Sequence, residues 1–200
     1  MTDRKNLPAK PLVQDVTVSA GQSGSLAARG LAAVLALSHL SLPISAESDP
    51  ESLFQEGMRY QYGEDGTKTD DEKALKYFLA AAERNHAEAQ LELAYLLGEN
   101  GDAEESDQWI LRSASLGFGP ALRYLAMHSD SSEEECDEWF LEAREWYEPR
   151  AMAGDAKCQF EYAEMLLGRT YDRECKKEGR RWLLASAEQN FREACMGWAI

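Results

Sequence analysis

The sequence predicts an all-α protein, a right-handed α-solenoid of about four stacked antiparallel helix pairs plus a short C-terminal helix. Three observations predict it. Aromatic anchors recur as Tyr77, Trp109, Trp146 and Trp182, at spacings of 32, 37 and 36 residues. Five positions after each anchor comes alanine (Ala82, Ala114, Ala151, Ala187), and seventeen after it comes alanine again (Ala94, Ala126, Ala163, Ala199). Alanine is 28 of 200 residues, so eight matches at two phases do not arise by chance. No alternating apolar and polar run of strand length occurs.

Each recurring position has a physical reason. Asn85, Gly117, Gly154 and Asn190, eight after the anchors, can take positive φ and close a helix with a left-handed cap. Twelve after the anchors stand small residues (Ala89, Ala121, Cys158, Ala194), which with the alanines let helices approach closely. Sixteen after stand Leu93, Leu125, Tyr162 and Trp198, bulk that fills the layer between helices. Each unit therefore reads as helix A, turn, helix B, turn.

The elements follow in order. The first pair is expected at about 51–62 and 70–84, the second helix opening on Thr69 with Glu72 at capping-box spacing. The second pair is expected at about 87–98 and 103–116, opening its B helix on Asp102 with Glu105. The third spans about 119–128 and 132–152, with Ser132 and Glu135 as the capping pair. Trp139-Phe140 and Trp146-Tyr147 compete there for the anchor role, and Pro149 inside the helix should kink it. The fourth spans about 155–168 and 172–189, before a last helix from about 192 that the chain leaves partway, with Trp198 at a core phase.

Residues 1–46 differ from the rest. They hold Arg4, Lys5, Lys10 and Arg29 against Asp3 and Asp15, a net of +2 in a chain whose formal net charge is -15. After Arg29 an apolar stretch at 30–46 ends in Pro43, Ile44, Ser45 and Ala46. That pattern reads as a secretory signal cleaved after Ala46, leaving 47–200 as the repeat domain. It is shorter than the ~20 apolar residues of a spanning helix, so no permanent membrane span is expected. The expected location is exported, periplasmic or secreted. The alternative is a cytoplasmic protein with a loosely docked helix or a start codon placed too early.

The repeat region then carries 17 basic and 34 acidic residues. This excludes a nucleic-acid binder, because phosphate affinity comes from clustered Lys and Arg. It also disfavours anionic membrane surfaces and leaves room for a basic partner.

Residues 73–94, with Tyr77-Phe78, Ala80-Ala81-Ala82 and Ala89-Gln90, resemble the Sel1-like repeats, a tetratricopeptide-like helical repeat family. Trp182 through Asn190 resembles them too, as do Trp146-Tyr147, Ala151, Gly154 and Gln159. The resemblance covers about residues 51–200. It implies a non-enzymatic protein–protein interaction adaptor or scaffold, placed in the cell envelope if the leader is a signal. The chain departs from the family pattern in its glycine-poor loops, where only Gly63-Glu64-Asp65-Gly66 approaches the usual composition. Its irregular third unit and unfinished end are further departures.

Little else carries chemistry, and no catalytic residue, cofactor or metal is expected. Gly117-Phe118-Gly119-Pro120 lacks the third glycine of a dinucleotide turn. The three histidines, His39, His86 and His128, form no His-Glu-x-x-His arrangement and read as surface or capping groups. Glu133-Glu134-Glu135 is expected at a helix start from the macrodipole, and 64–72 lacks EF-hand spacing. Four cysteines allow two disulfides if the chain is exported. Stacking places Cys158 level with Cys195 and Cys136 near Cys175, although Cys158 also fits as a small hydrophobe. The cysteine phases do not recur as they do in the cysteine-rich secreted branch of that family.

A solenoid offers one concave face to a partner segment. Its expected lining is Glu92 and Tyr95, Arg123 and Tyr124, Phe160 and Glu161, from non-core phases of the A helices. Aromatics beside acids suit a protein or peptide partner of basic or amphipathic character. Two other readings stay open: a structural subunit, or homo-oligomer, docking through the C-terminal helix, and an envelope hydrolase.

Overall fold

A computed structural model describes residues 47–63, 66–169, 173–189 and 191. Among them eight α-helices follow one another without a strand. They are α1 (Pro50–Tyr62), α2 (Asp71–Ala82), α3 (Ala87–Glu99), α4 (Ala103–Ser115), α5 (Gly119–His128), α6 (Glu133–Met152), α7 (Ala156–Arg169) and α8 (Arg173–Glu188). Each of the eight helices expected between about 51 and 189 is present, its ends within two residues. The leader at 1–46, the last helix from about 192, and with them Ala194, Cys195, Trp198 and Ala199, lie outside the described residues, as does Asn190.

Local chemistry sets the boundaries. Asp49 caps α1 by accepting from the Ser52 N–H, with Pro50 at the first turn, where its missing N–H costs nothing. At α2 the cap falls one residue later than expected: Asp70, not Thr69, accepts from the Lys73 N–H at 3.1 Å. A carboxylate is the better partner for the positive end of a helix than a hydroxyl. Asp102 occupies the cap position of α4 without making the side-chain bond. Ser132 and Glu135 form the full reciprocal box at α6, both bonds at 3.2 Å. His86 proves to be a capping group: its Nδ1 accepts from the Ala89 N–H, so the ring proton sits on Nε2 and donates to Glu51 Oε2 at 3.0 Å. Asn85, Gly117 and Gly154 take φ of 61°, 76° and 94°, the left-handed stops read from their spacing. Pro149 falls in the last turn of α6, which runs on to Met152.

Packing follows the pairs α1–α2, α3–α4, α5–α6 and α7–α8, joined through α2–α3, α4–α5 and α6–α7. The A helix α5 also touches the A helix α7, so these helices share one face. The core runs continuously through the stack, and the small phases lie in it, except that Ala187 is half-buried. Ala82, Ala114 and Ala151 are buried, as are Ala89, Ala121 and Cys158, and Ala94, Ala126 and Ala163. Leu93, Leu125 and Tyr162 supply the bulk between them. In the third unit the competing aromatics divide the work. Tyr147 is fully buried, Trp146 is half-buried against Gly119, where an added Cβ would overlap the indole, and Trp139 and Phe140 are partly buried on the core.

Buried hydrogen bonds add a second periodicity. Ser113 Oγ donates to the Ala87 carbonyl at 2.7 Å, and Ser186 Oγ donates to the Ala156 carbonyl at 2.6 Å. Each ties a B helix to the first residue of its own A helix. Gln90 Nε2 donates to the Ala82 carbonyl at 3.0 Å and Gln159 Nε2 to the Ala151 carbonyl at 2.9 Å, each tying an A helix back to the preceding unit. The Ala82 and Ala151 carbonyls lie at helix C-termini, where intrahelical donors run out. The third unit has Leu122 and Arg150 at the corresponding phases, and Arg150 instead lies over the Trp146 ring at 3.7 Å. Units two and four thus carry both bonds, whereas unit three makes neither at these phases and is tied to the next unit through Gln159 and Tyr147.

Cys136 and Cys158 are buried, and no bond joins Cys136 to Cys175. The Cys158 thiol is pushed up to about 12 by burial, with Asp155 adding repulsion, so it packs as the small hydrophobe its phase called for. Its pairing with Cys195 falls outside the described residues.

Candidate functional site

The A helices α1, α3, α5 and α7 bring most of the expected face together. Tyr95 on α3 and Tyr124 on α5 meet edge to face, their ring centroids 6.2 Å apart at 61°. Tyr124 is half-buried on the core and stacks on His128 at 4.8 Å, while Tyr95 remains 38% exposed. Helical spacing explains the grouping: Glu92 and Tyr95 stand three apart and share one side of α3.

Charge on this face is organised around Glu161. Tyr147 donates its hydroxyl to Glu161 Oε2 at 2.8 Å, and Lys157 lies 3.9 Å from the same carboxylate. Arg123 lies 3.9 Å from Glu164, and its Nε is buried without a hydrogen-bond acceptor. Burial pushes the Tyr147 phenol far above its ordinary value, which keeps it a neutral donor. Burial also pushes the Glu92 carboxyl up; Glu88 adds repulsion, and Lys157 opposes both. Glu92 has no hydrogen-bond or ion-pair partner among the described residues.

Phe160 stands apart from this group. Its ring packs against Phe191 at 5.6 Å, toward the segment that follows α8. The structure therefore assembles Glu92, Tyr95, Arg123, Tyr124 and Glu161 at the centre and sets Phe160 at one end of the face.

Sequence reasoning missed the other end. A cleft of about 460 Å³ lies beside Tyr95 and Tyr124, walled by Gln61 and Tyr62 from the end of α1, Glu92 and Glu99 from α3, and Ser106 from α4. Tyr62 is 59% exposed. Its phenol is pushed up by burial and then by Glu92 and Glu99, which places both carboxylates near it. Phases counted forward from an anchor cannot assign α1, because no anchor precedes it. The only available signal was the turn at Gly63, immediately after Tyr62. Gly98 also lines the cleft and faces Ser106.

Among the described residues no three His, Cys, Asp or Glu side chains gather as metal ligands, and no helix is long and apolar enough to cross a membrane. The chemistry on offer is recognition by aromatic faces, carboxylates and carbonyl oxygens.

Comparison with known proteins places this architecture. The family model described as Sel1 repeat matches residues 50–86, 87–118 and 156–191. It passes over 119–155, the third unit. Among solved structures, a Sel1 repeat protein from Oxalobacter formigenes is 22% identical, with 86% of each chain covered and a TM-score of 0.48. A protective antigen present in uropathogenic Escherichia coli strains, displaying an SLR fold, is 20% identical with a TM-score of 0.45. That match covers 73% of this chain and 39% of the antigen, so the chain spans about two-fifths of the antigen's length. No curated protein matches the sequence.

Proposed function

This chain belongs to the Sel1 repeat family, whose repeats generally mediate protein–protein interaction, and we propose that it is a non-enzymatic adaptor or scaffold that holds a partner segment on the face of its A helices. The observation that carries the reading is the cluster of Tyr95 and Tyr124 beside Glu92, an aromatic and acidic surface whose half-buried carboxylate has no ion-pair partner among the described residues. Such a surface favours a partner that brings apolar contact together with positive charge. Interfaces concentrate their binding energy in a few aromatic anchors, and tyrosine is among the commonest of them.

Replacing Tyr95, Tyr124 and Phe160 with alanine is expected to abolish partner capture while leaving the far-ultraviolet circular dichroism of the helices intact. Unchanged capture would remove this face from the account.

The cell envelope is the proposed place of action. Support comes from the apolar stretch at 30–46 behind Arg29 and its Ile44-Ser45-Ala46 exit. The expected result is a mature chain that begins at Glu47 when its N-terminus is sequenced from the envelope fraction. A full-length chain confined to the cytoplasm would contradict it.

A further inference from the structure

The cleft between α1, α3 and α5 gathers carboxylates, an unpartnered amide oxygen and aromatic rings. Gln61 contributes a buried Oε1 with no donor. Glu92 and Glu99 add two carboxylates, neither with a hydrogen-bond or ion-pair partner among the described residues. Tyr62, Tyr95 and Tyr124 supply rings, and no Lys, Arg or His is among the lining residues.

Elsewhere this chain meets its own guanidinium groups with aromatic rings. Arg150 lies 3.7 Å from the Trp146 ring centroid, and Arg112 lies 4.4 Å from that of Trp109. No cation lies over Tyr62, Tyr95 or Tyr124 among the described residues. The cation nearest in influence on Glu92 is Lys157, already committed to Glu161 at 3.9 Å.

We propose that this cleft receives the guanidinium of an arginine side chain carried by the partner segment, an inference that rests on the adaptor reading above. The charge complements Glu92 and Glu99. The planar group can stack on a tyrosine ring while its in-plane N–H groups reach the carboxylates and the Gln61 carbonyl oxygen. An ammonium has fewer donors and no plane to stack, so arginine is preferred over lysine. A volume of about 460 Å³ also leaves room for the backbone on either side of the side chain.

The probe is the blocked pentapeptide Gly-Gly-Arg-Gly-Gly, titrated into the full chain carrying nitrogen-15 and followed by the backbone amide resonances. Shifts are expected at the end of α1 and along α3. The same peptide with citrulline, which keeps the shape and loses the charge, should bind at least about tenfold more weakly, as should the lysine peptide. Glu92→Gln with Glu99→Gln should weaken the arginine peptide by about tenfold, and Tyr62→Ala, at an exposed position, should weaken it as well. Equal binding of citrulline or lysine, shifts confined to other helices, or full affinity in the double glutamine variant would overturn the proposal. The two readings separate cleanly. If the pentapeptide fails to bind while the triple alanine variant still loses its partner, the arginine cleft is wrong and the adaptor stands. If the pentapeptide binds and the triple variant captures normally, the cleft takes arginine but not from the captured partner, and both the adaptor face and the proposal are wrong.

Discussion

Replacing Phe78 with alanine destabilises the first helix pair by about 3–5 kcal/mol, the range for deleting a buried aromatic ring. Phe78 is fully buried, packs against Phe54 at 5.8 Å, and lies over Gly57, where a Cβ would fall 2.5 Å from its ring. The missing Cβ of Gly57 is the hollow that lets α1 and α2 close on each other. A double-mutant cycle exposes this. Gly57→Ala alone should cost about 1–3 kcal/mol from overpacking, and clearly less when Phe78 is already alanine, because the deleted ring frees the space. Urea unfolding followed by circular dichroism measures both. Because each pair contacts only its neighbours, hydrogen exchange in Phe78→Ala should quicken in α1 and α2 far more than in α7 and α8. A uniform rise along the chain would contradict the pairwise account.

The second large effect is at Tyr147. Its ring is fully buried and lies parallel to Tyr162, with centroids 6.3 Å apart, while its hydroxyl donates to Glu161. Two substitutions separate these contributions. Tyr147→Phe keeps the packing and withdraws a donor from a half-buried carboxylate, at a cost of about 1.5–3 kcal/mol, as for hydrogen bonds to charged groups. Tyr147→Ala removes the ring as well and should cost about 3–5 kcal/mol or more. The phenylalanine variant also frees Glu161 on the partner face, so its effect should reach recognition as well as stability. A Tyr147→Phe protein as stable as the wild type would show that Lys157 alone satisfies Glu161.

Most of the fold is legible in the sequence because it rests on local and periodic chemistry. Positive φ at Asn85, Gly117 and Gly154 ends helices wherever they stand, and an alanine at a fixed phase is small in every unit. What failed to show is what depends on geometry between units. The Thr69 cap moved to Asp70 because two adjacent residues can both accept, and the carboxylate is the stronger partner for the helix start. The bonds from Ser113, Ser186, Gln90 and Gln159 link positions 8 to 30 residues apart, and only the stacked pairs bring them together.

The proposed partner face divides the same way. Glu92 with Tyr95 and Arg123 with Tyr124 were readable because their phases are set by anchors on both sides. Phe160 lies at one end of the face, because its neighbour Phe191 belongs to the next stretch of chain, a contact no phase count could show. Tyr62 went unread because no anchor precedes α1, although it stands among the more exposed aromatic groups of the described chain.

The central claim is that the A-helix face holds the partner. The most direct measurement compares capture by two triple variants at matched helicity. One carries Tyr95→Ala, Tyr124→Ala and Phe160→Ala. The other carries Leu111→Ala, Leu141→Ala and Leu184→Ala, exposed leucines of the B helices α4, α6 and α8. Loss of the partner in the first with retention in the second is the result expected here. Retention in the first, or equal loss in both, would contradict it.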